Sequence, residues 1–273
     1  MDASAAVKAK WNAAPIAGKG KYFEYVIQAL IDAFCRPGDC AVDIGANWGS
    51  HSWVMLEAAG PRGEVIAVEP DPALAAHLET WTARHPNLHV LRVALSDHSG
   101  MAEFFRAQET GYNTLNAEVS QRTQAKDRIS VPVRRLDELS EFAARSPSLV
   151  KIDVEGEELR VLFGAEAMLK RCRPLVIAEV DWRFLFRGDG KPSEHVLFNW
   201  LAGLCPGGYA MFDLFGQPVT QFEWDAWNVA MLPAGSQDAD ALRTVCIEAG
   251  LRYFEIEAGW DPMMRFRKAH GKP

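Results

Sequence analysis

The chain has 273 residues, of which 48% are hydrophobic, so it can bury the core of one large domain or two small ones. Its formal net charge of −7 disfavours nucleic-acid binding through a broad basic face. The sequence contains neither an apolar run of the ~18 residues that a membrane helix needs nor the apolar stretch of a signal peptide, so we expect a soluble, cytoplasmic protein.

The first half of the chain alternates helices and strands. Apolar residues at helical spacing predict a helix over Tyr22–Phe34, and the Arg36–Asp39 turn stops it. The pattern then predicts strands at 40–44, 64–69 and 88–95 and helices at 50–59 and 72–84. Strands separated by helices favour a mainly parallel sheet. We therefore divide the chain into an N-terminal helical extension, residues 1–36, and one domain, residues 37–273.

The second half adds an interruption before the alternation resumes. Two extra strands, 101–106 and 129–134, flank a polar segment, 111–127, that reads as a loop or lid. The pattern then predicts helices at 137–144, 157–170 and 194–204 and strands at 149–154, 174–180, 209–214 and 227–232. The five cysteines are scattered and never fall in CxxC spacing, which favours reduced, buried thiols.

The segment AVDIGANWGS, residues 41–50, joins a buried strand to a turn and then to a helix. Gly45 and Gly49 allow a sharp turn and a close approach to a ligand, and Asp43 places a carboxylate near the strand end. An α/β sheet presents backbone N–H groups to a nucleotide-like ligand in this way. We therefore predict an adenosine-like ligand at this turn.

The spacing of the two glycines narrows the choice of nucleotide. A dinucleotide fingerprint reads GxGxxG, whereas Asn47 occupies the place of the middle glycine that lets a pyrophosphate approach. A Walker loop is disfavoured as well, because no lysine follows Gly49. S-adenosylmethionine has no phosphates and carries positive groups that suit a nearby Asp43, so it fits the pattern.

Carboxylates follow several predicted strands, and ligands of such sheets lie at the carboxyl ends of the strands. Glu69 ends the second strand, where a carboxylate can accept hydrogen bonds from both ribose hydroxyls. NAD enzymes share this feature with methyltransferases, so Glu69 supports an adenosine ligand but does not decide between these two classes of enzyme. Asp97 and Asp153 follow later strands and are candidate site residues too.

Several motifs together resemble the FkbM-type S-adenosylmethionine-dependent methyltransferases in order and spacing. They are VDIGANWGSHS, VEPDP, ALSDHSG, GYNTL, VKIDVEGEELRVLFGA and RPLVIAEV. The resemblance implies a Rossmann-like, doubly wound, mainly parallel seven-stranded sheet, the class I methyltransferase fold. It also implies that S-adenosylmethionine is the cofactor, with Asp43, Gly45, Asn47, Gly49, Glu69, Asp97 and Asp153 as the cofactor-binding residues.

Two of these residues have open alternatives. Asp97 would reach the adenine amino group by resemblance, but an aspartate there could equally cap its own turn. Asn47 would contact the methionine part of the cofactor, or it would hold the turn by a side-chain bond to backbone.

Asp153 and Glu155 are the predicted catalytic residues. A carboxylate flanked by apolar Ile152 and Val154 is costly to desolvate without a partner, which the cofactor, the substrate hydroxyl or Lys151 could supply. Methyl transfer is a direct displacement, so the protein must chiefly align the reacting atoms, while a base takes the hydroxyl proton. His51, His98 and Glu179 are further candidate bases.

We predict no metal, although Asp153, Glu179 and Asp181 could supply oxygen ligands in a metal-dependent variant. Aromatic residues are frequent between 181 and 227 and could form part of an acceptor pocket, though most would be core.

The family methylates hydroxyls of varied natural products and glycans, so the resemblance implies O-methylation of a small molecule, sugar or glycan. We expect neither nucleic acid nor membrane as a partner, and homo-oligomerisation stays open. Two alternatives remain: an NAD-dependent oxidoreductase, and a non-catalytic cofactor-binding protein of the same fold.

Overall fold

The computed structural model describes residues 2–14, 16–180, 194–221 and 228–256, with 261 and 264 singly. The helices are α1 (Ala3–Ala13), α2 (Ile16–Phe34), α3 (Ser50–Ala59), α4 (Pro72–Glu79), α5 (Ala117–Arg122), α6 (Ser140–Ala143), α7 (Glu158–Gly164), α8 (Glu166–Cys172), α9 (Glu194–Gly203) and α10 (Asp238–Ile256). The strands are β1 (Cys40–Ile44), β2 (Glu64–Val68), β3 (Leu88–Leu91), β4 (Ala94–Leu95), β5 (Gly100–Arg106), β6 (Asp127–Arg134), β7 (Pro147–Ile152), β8 (Leu175–Glu179), β9 (Tyr209–Asp213) and β10 (Asn228–Pro233).

Seven strands form one sheet in the order β3-β2-β1-β7-β8-β10-β9. β10 pairs antiparallel with β8 and β9, and the other pairs are parallel. The predicted doubly wound, mainly parallel sheet is therefore confirmed. The strand order reverses at β1, whose last residue, Ile44, pairs with Val68 of β2 and Ile152 of β7. The carboxyl ends of these three strands meet at a switch point, where such sheets bind ligands.

Helices cover both faces of the sheet, and its central strands are accordingly apolar along most of their length. On one face, Ala41, Val65 and Leu149 share a buried cluster with residues of α2, α3 and α10. On the other face, Val42 and Ile66 pack with residues of α7, α8 and α9. A buried charge in the middle of this sheet therefore needs a specific partner.

Helices α1 and α2 form the predicted N-terminal extension; α2 packs against α3, α10 and strand β7, and α1 packs against α10. The Tyr22 hydroxyl donates to the Leu214 carbonyl at 3.0 Å, and the Ser4 hydroxyl donates to the Phe215 carbonyl at 2.6 Å. Gly250 of α10 leaves room for this contact, because a Cβ there would lie 2.8 Å from Tyr22 Oη. The extension is present, and a domain boundary after residue 36 stays a prediction.

The predicted strand 88–95 is two strands in two different sheets. β3 belongs to the main sheet, whereas β4 joins β6 and β5 in a three-stranded sheet. The amide of Val93 donates to the carbonyl of Leu91 at 3.0 Å, a three-residue turn that redirects the chain between them. The predicted strands 101–106 and 129–134 are present as β5 and β6, which pair antiparallel.

The predicted helix 157–170 is also interrupted, and α8 starts anew at Glu166. Gly164 packs against Ser96 so closely that a Cβ would lie 2.0 Å from the Ser96 carbonyl oxygen. The carboxylate of Asp137 accepts hydrogen bonds from the amides of Ala167 and Met168 at 2.8 and 2.9 Å. These bonds satisfy amides that a continuous helix would pair internally, so the new helix start is stable.

The polar segment 111–127 is more ordered than a simple loop. It contains α5, whose first turn is capped by the Asn116 side chain accepting from the amides of Glu118 and Val119. Thr114 and Asn116 are buried, so part of this polar segment lies in the interior of the protein. Their hydrogen bonds to backbone explain why burial is tolerated.

The C-terminal strands close the sheet as expected, with Phe212 of β9 and the nearby Phe215 buried in the core. Other aromatics considered for an acceptor pocket lie outside the described residues: Trp182, Phe184, Phe186, Phe222, Trp224 and Trp227. Within the described part of the chain, no helix combines the length and the apolar character needed to cross a membrane.

Candidate functional site

A cavity of about 410 Å³ opens at the switch point of the sheet. Its walls come from the turn after β1, residues 44–47, from the end of β2, residues 68–70, and from segment 93–95. Further lining residues lie between 151 and 157 and between 109 and 115. Its volume lies in the range of sites for small molecules and cofactors, roughly 300–1,000 Å³.

Two predicted glycines shape the turn, but they act differently. Gly45 has a φ of 79°, and a Cβ on it would lie 1.8 Å from the carbonyl oxygen of Asp153. Gly49 has a φ of 83°, and a Cβ on it would lie 2.6 Å from both Leu78 and Trp81. Gly45 lines the cavity, whereas Gly49 is required for the packing of α3 against its neighbours.

Glu69 is held beneath the turn by backbone hydrogen bonds. One carboxylate oxygen accepts from the Asn47 amide and the other from the Asp71 amide, each at 2.8 Å. Burial raises the pKa of Glu69 to about 7, although these two bonds act in the opposite direction. Asn47 has a φ of 50°, so its backbone is left-handed, a conformation that asparagine adopts more readily than most other non-glycine residues.

Asp43 is fully buried and does not line the cavity. One carboxylate oxygen accepts from the Ser52 hydroxyl at 2.6 Å. The other lies 3.9 Å from Lys151 Nζ and has no hydrogen-bond partner among the described residues. The positive group near Asp43 among the described residues is therefore this lysine, and the cofactor contact implied for Asp43 stays a prediction.

Lys151 connects Asp43 to the cavity. Its ammonium donates to a carboxylate oxygen of Asp153 at 2.9 Å, and only 4% of the residue is exposed. Burial lowers the pKa of Lys151, but Asp153, Asp43 and Glu24 more than offset this and raise the pKa above its ordinary value. The lysine therefore stays charged. Of the three partners considered for Asp153, namely the cofactor, the substrate hydroxyl and Lys151, the structure shows the pairing with Lys151.

The turn after β7 holds Glu155 in an unusual backbone conformation, with a φ of 55°. The carboxylate of Glu158 accepts from the amides of Val154 and Gly156 at 3.1 and 3.0 Å. The Thr114 hydroxyl donates to the Glu155 carbonyl at 2.7 Å. A left-handed non-glycine residue costs about 1–3 kcal/mol and persists only when its surroundings fix it, as these bonds do.

Residues 109–113 also line the cavity. The indole N–H of Trp48 donates to the Thr110 hydroxyl at 3.0 Å, which joins the turn after β1 to this segment. At the base of the segment, the Asn113 side chain accepts from the Ala107 amide at 2.8 Å. Residues 111–113 are the start of the predicted loop or lid, 111–127, and a lid function stays a prediction.

Asp97 is not among the residues that line the cavity, although Leu95 is. Its carboxylate lies 2.8 Å from His98 Nδ1 and 3.4 Å from Arg160. The adenine contact implied for Asp97 by resemblance stays a prediction, and the described partners of its carboxylate are protein side chains. His98, a candidate base, likewise does not line the cavity.

Glu24 lines the cavity but was not predicted from the sequence. It lies on α2, three residues before Ile27 and seven before Ile31, both buried, so helical spacing places it on their face. This helical spacing is the one sequence signal that could have indicated that Glu24 faces the interior. The packing partner of that face depends on how α2 docks on the domain. A single sequence does not predict this docking.

His51 and Glu179, two candidate bases, also line the cavity. Burial, together with Asp153 and Glu155, raises the pKa of Glu179 well above its ordinary value. Within the described residues, no group of three or more histidine, cysteine, aspartate or glutamate side chains could hold a metal ion. Asp181, a candidate ligand in the sequence, lies outside the described residues.

Known proteins similar to this chain include several methyltransferases. Hexuronic acid methyltransferase AglP of Haloferax volcanii is 29% identical over 157 residues, which are 57% of this chain and 61% of that protein. Ribosomal RNA small subunit methyltransferase A of a Burkholderia species is 44% identical over 55 residues, 20% of each chain. This chain thus spans less than two thirds of the length of these relatives. The crystal structure of methyltransferase FkbM from Methylobacillus flagellatus KT superposes with a TM-score of 0.46 at 16% identity, covering 71% of this chain and 43% of that one.

A family model described as the methyltransferase FkbM domain matches residues 43–204. The matched segment contains the turn after β1, Glu69, Lys151 and the turn after β7. It begins after α2, so Glu24 lies outside it. Because the match covers more than half of the sequence, the chain belongs to the FkbM methyltransferase family.

Proposed function

We propose that this protein transfers the methyl group of S-adenosylmethionine to a hydroxyl group of a small natural product, sugar or glycan. One observation carries the proposal: a single cavity brings together the glycine turn, Glu69 and the carboxylates of Asp153 and Glu155. Membership of the FkbM methyltransferase family supports the reaction class.

The residues of the cavity fit the cofactor. Each oxygen of Glu69 accepts one described hydrogen bond and has capacity for another, so the carboxylate can hold both ribose hydroxyls. Gly45 and Asn47 both line the cavity, and the missing side chain of Gly45 lets the turn pack against the Asp153 carbonyl. Apolar Val93 and Leu95 offer a surface for the adenine. When bound, S-adenosylmethionine supplies an electrophilic methyl group on a positively charged sulfur.

The charge of the cavity favours this cofactor over NAD. Its acidic lining residues are Glu109, Asp153, Glu155 and Glu157, together with Glu24, Glu69 and Glu179, whose charge is reduced because burial raises their pKa. Among the described lining residues, Lys151 is the one lysine or arginine, and it is paired with Asp153. Such a lining attracts a sulfonium and an ammonium and repels a pyrophosphate or the backbone of RNA.

Asp153 and Glu155 are the residues that we assign to the reacting groups. The hydrogen bond from Lys151 fixes the orientation of the Asp153 carboxylate at the cavity wall. The fixed turn at Glu155 holds a second carboxylate in the same cavity. Alignment of donor and acceptor can contribute roughly 7 kcal/mol or more to catalysis, so we infer that both carboxylates orient the acceptor hydroxyl.

The acceptor class rests on the family and on one relative. The name of the Haloferax volcanii relative identifies it as a hexuronic acid methyltransferase. We extend to this chain only the broader class of hydroxyl-bearing sugars, glycans and small natural products.

Binding and turnover together test the proposal. Calorimetry should detect S-adenosylmethionine and S-adenosylhomocysteine binding and no NAD binding, and a panel of sugars, glycans and polyketide alcohols should reveal methyl transfer by mass spectrometry. Glu69→Ala should weaken binding of the cofactor by about 10²-fold through lost ribose contacts. Glu57→Ala on the exposed side of α3 is the matched control and should bind normally.

Two results would count against the proposal. Binding of NAD alone would replace it with the oxidoreductase alternative. Cofactor binding without methyl transfer to any member of the panel would favour a non-catalytic protein.

A further inference from the structure

We propose that Glu24, from the N-terminal helix α2, is the catalytic base that takes the proton of the acceptor hydroxyl. This inference rests on the proposed methyl transfer. Glu24 lies outside the segment that matches the family, 43–204, yet its side chain forms part of the same cavity as Asp153 and Glu155. The N-terminal extension would thus supply a reacting group.

The position of Glu24 suits contact with an acceptor. About 31% of its side chain is accessible, and the cavity lies against it. His51 of α3 approaches from one side, with its Nε2 3.2 Å from a carboxylate oxygen of Glu24. Lys151 and Asp153 act on Glu24 from β7 and the turn that follows it.

His51 shows that this corner of the cavity has an unfilled hydrogen-bonding position. The residue is 4% exposed, and its Nε2 has no aligned hydrogen-bond partner among the described residues, despite the short distance to Glu24. Burial and the charge of Lys151 lower the pKa of His51 well below its ordinary value, so the imidazole is neutral. A neutral imidazole can position the Glu24 carboxylate or accept a bond from a bound hydroxyl.

The protonation equilibrium of Glu24 matches its proposed role. Burial raises its pKa to about 7; Lys151 lowers it, while Asp153 and Asp43 raise it. Glu179 of β8 belongs to the same group of interacting carboxylates. A general base works best when its pKa lies near the operating pH, because a substantial fraction of it is then deprotonated and its affinity for a proton is still high.

Three charged or acidic groups that interact with Glu24, namely Lys151, Asp153 and Glu179, are less suited to take the proton. Lys151 is already protonated, and Asp153 accepts a hydrogen bond from it. The strongly raised pKa of Glu179 favours its protonated form. In the proposed step, the O–H proton passes to Glu24 while the oxygen lone pair bonds to the methyl carbon. The electron pair of the broken C–S bond stays on sulfur, which becomes a neutral thioether.

The test compares Glu24→Gln with the wild type on an acceptor that the wild type methylates. We expect kcat to fall by about 10²-fold or more, with the KM for the acceptor and the affinity for S-adenosylmethionine nearly unchanged. The wild-type kcat should rise with pH through about 7, and Glu24→Gln should lose this rise. Asp32→Asn removes an exposed carboxylate from the same helix and should behave as the wild type.

Glu24→Asp keeps a carboxylate on a shorter side chain, and it should retain the pH dependence at a reduced kcat. Thermal melting of each variant identifies those that fold, and Glu24→Asp alone suffices for the pH test if Glu24→Gln does not fold. A wild-type kcat and pH profile in Glu24→Gln would overturn the assignment, as would an effect confined to cofactor affinity. Absence of turnover by the wild type would instead count against the proposed methyl transfer itself.

Discussion

Gly45 lies directly against the backbone of Asp153, and a Cβ at residue 45 would be 1.8 Å from the Asp153 carbonyl oxygen. The Asp153 amide donates to the Ile44 carbonyl at 3.0 Å, which holds the two segments in this arrangement. The turn after β1 and the turn after β7 therefore keep one fixed separation. In the proposed function, these turns serve the donor and the acceptor.

Gly45→Ala should both destabilise the protein and impair the site. The new methyl group meets backbone that cannot rotate away, and the φ of 79° is strained for alanine. We expect a loss of at least about 2 kcal/mol in the free energy of unfolding. Urea denaturation measures this loss, and calorimetry with S-adenosylmethionine measures the accompanying loss of affinity.

Gly203→Ala is the matched control, because a Cβ at this helical glycine meets nothing within 4 Å. It should leave stability unchanged or raise it slightly. Equal stabilities of the two variants would contradict the close contact between residues 45 and 153.

Lys151→Met should be strongly destabilising. It leaves the buried carboxylate of Asp43 and the adjoining one of Asp153 without their cation. Breaking a buried ion pair in this way costs about 3–5 kcal/mol. Lys170→Met removes an exposed partner of Glu166 instead, and a surface pair of this kind is worth at most about 1 kcal/mol. Chemical denaturation of both variants at pH 7 makes the comparison.

The pH dependence of the Lys151→Met variant provides a second measurement. Lys151 opposes the rise in the pKa of Asp43 that burial causes, so without the ammonium the buried Asp43 carboxylate is stabilised by taking up a proton. The destabilisation relative to the wild type should therefore be greatest at high pH and shrink as the pH falls. A pH-independent difference would indicate that lost packing, and not unpaired charge, is the cause.

Glu158 should make the protein less stable as the pH rises. Burial raises its pKa from 4.5 in an ordinary environment to about 7, so the folded state binds its proton more tightly than the unfolded state. The resulting stabilisation is complete below pH 4.5 and is lost as the pH rises to about 7. A shift of this size corresponds to up to about 3 kcal/mol.

Glu158→Gln should remove this contribution, because an amide oxygen can still accept from Val154 and Gly156 but does not titrate. The free energy of unfolding should then change less between pH 4.5 and 7 than in the wild type. Glu57→Gln on the surface of α3 serves as the control. An unchanged slope in Glu158→Gln would show that other carboxyls govern the pH dependence.

The main features of the fold are predictable from the sequence, because buried strands and amphipathic helices leave local patterns. The turn at Gly45 and the carboxylate of Glu69 likewise follow from local spacing. The break between α7 and α8 is different, since it depends on the contact of Gly164 with Ser96 and on capping by Asp137. Such contacts join distant parts of the chain and leave no local pattern.

The same distinction applies to the candidate site. The position of Lys151 and Asp153 on one face of a strand follows from alternation, but the approach of Lys151 to Asp43 depends on the register of β7 against β1. Glu24 enters the cavity only because α2 docks beside α3. Sequence patterns thus identified the strand ends, while helix α2 supplied Glu24, the residue that they missed.

The bond from Trp48 to Thr110 has a consequence for ligand exchange. Among the described residues, it is the one side-chain hydrogen bond that ties the tip of segment 109–113 to the turn after β1. A single bond of this kind contributes only about 1 kcal/mol, so thermal motion breaks it often. The base of the segment, fixed at Asn113 and Thr114, stays in place meanwhile. In the proposed function, breaking this bond would free the tip of segment 109–113 without disturbing the hydrogen bonds at Asp153 and Glu155.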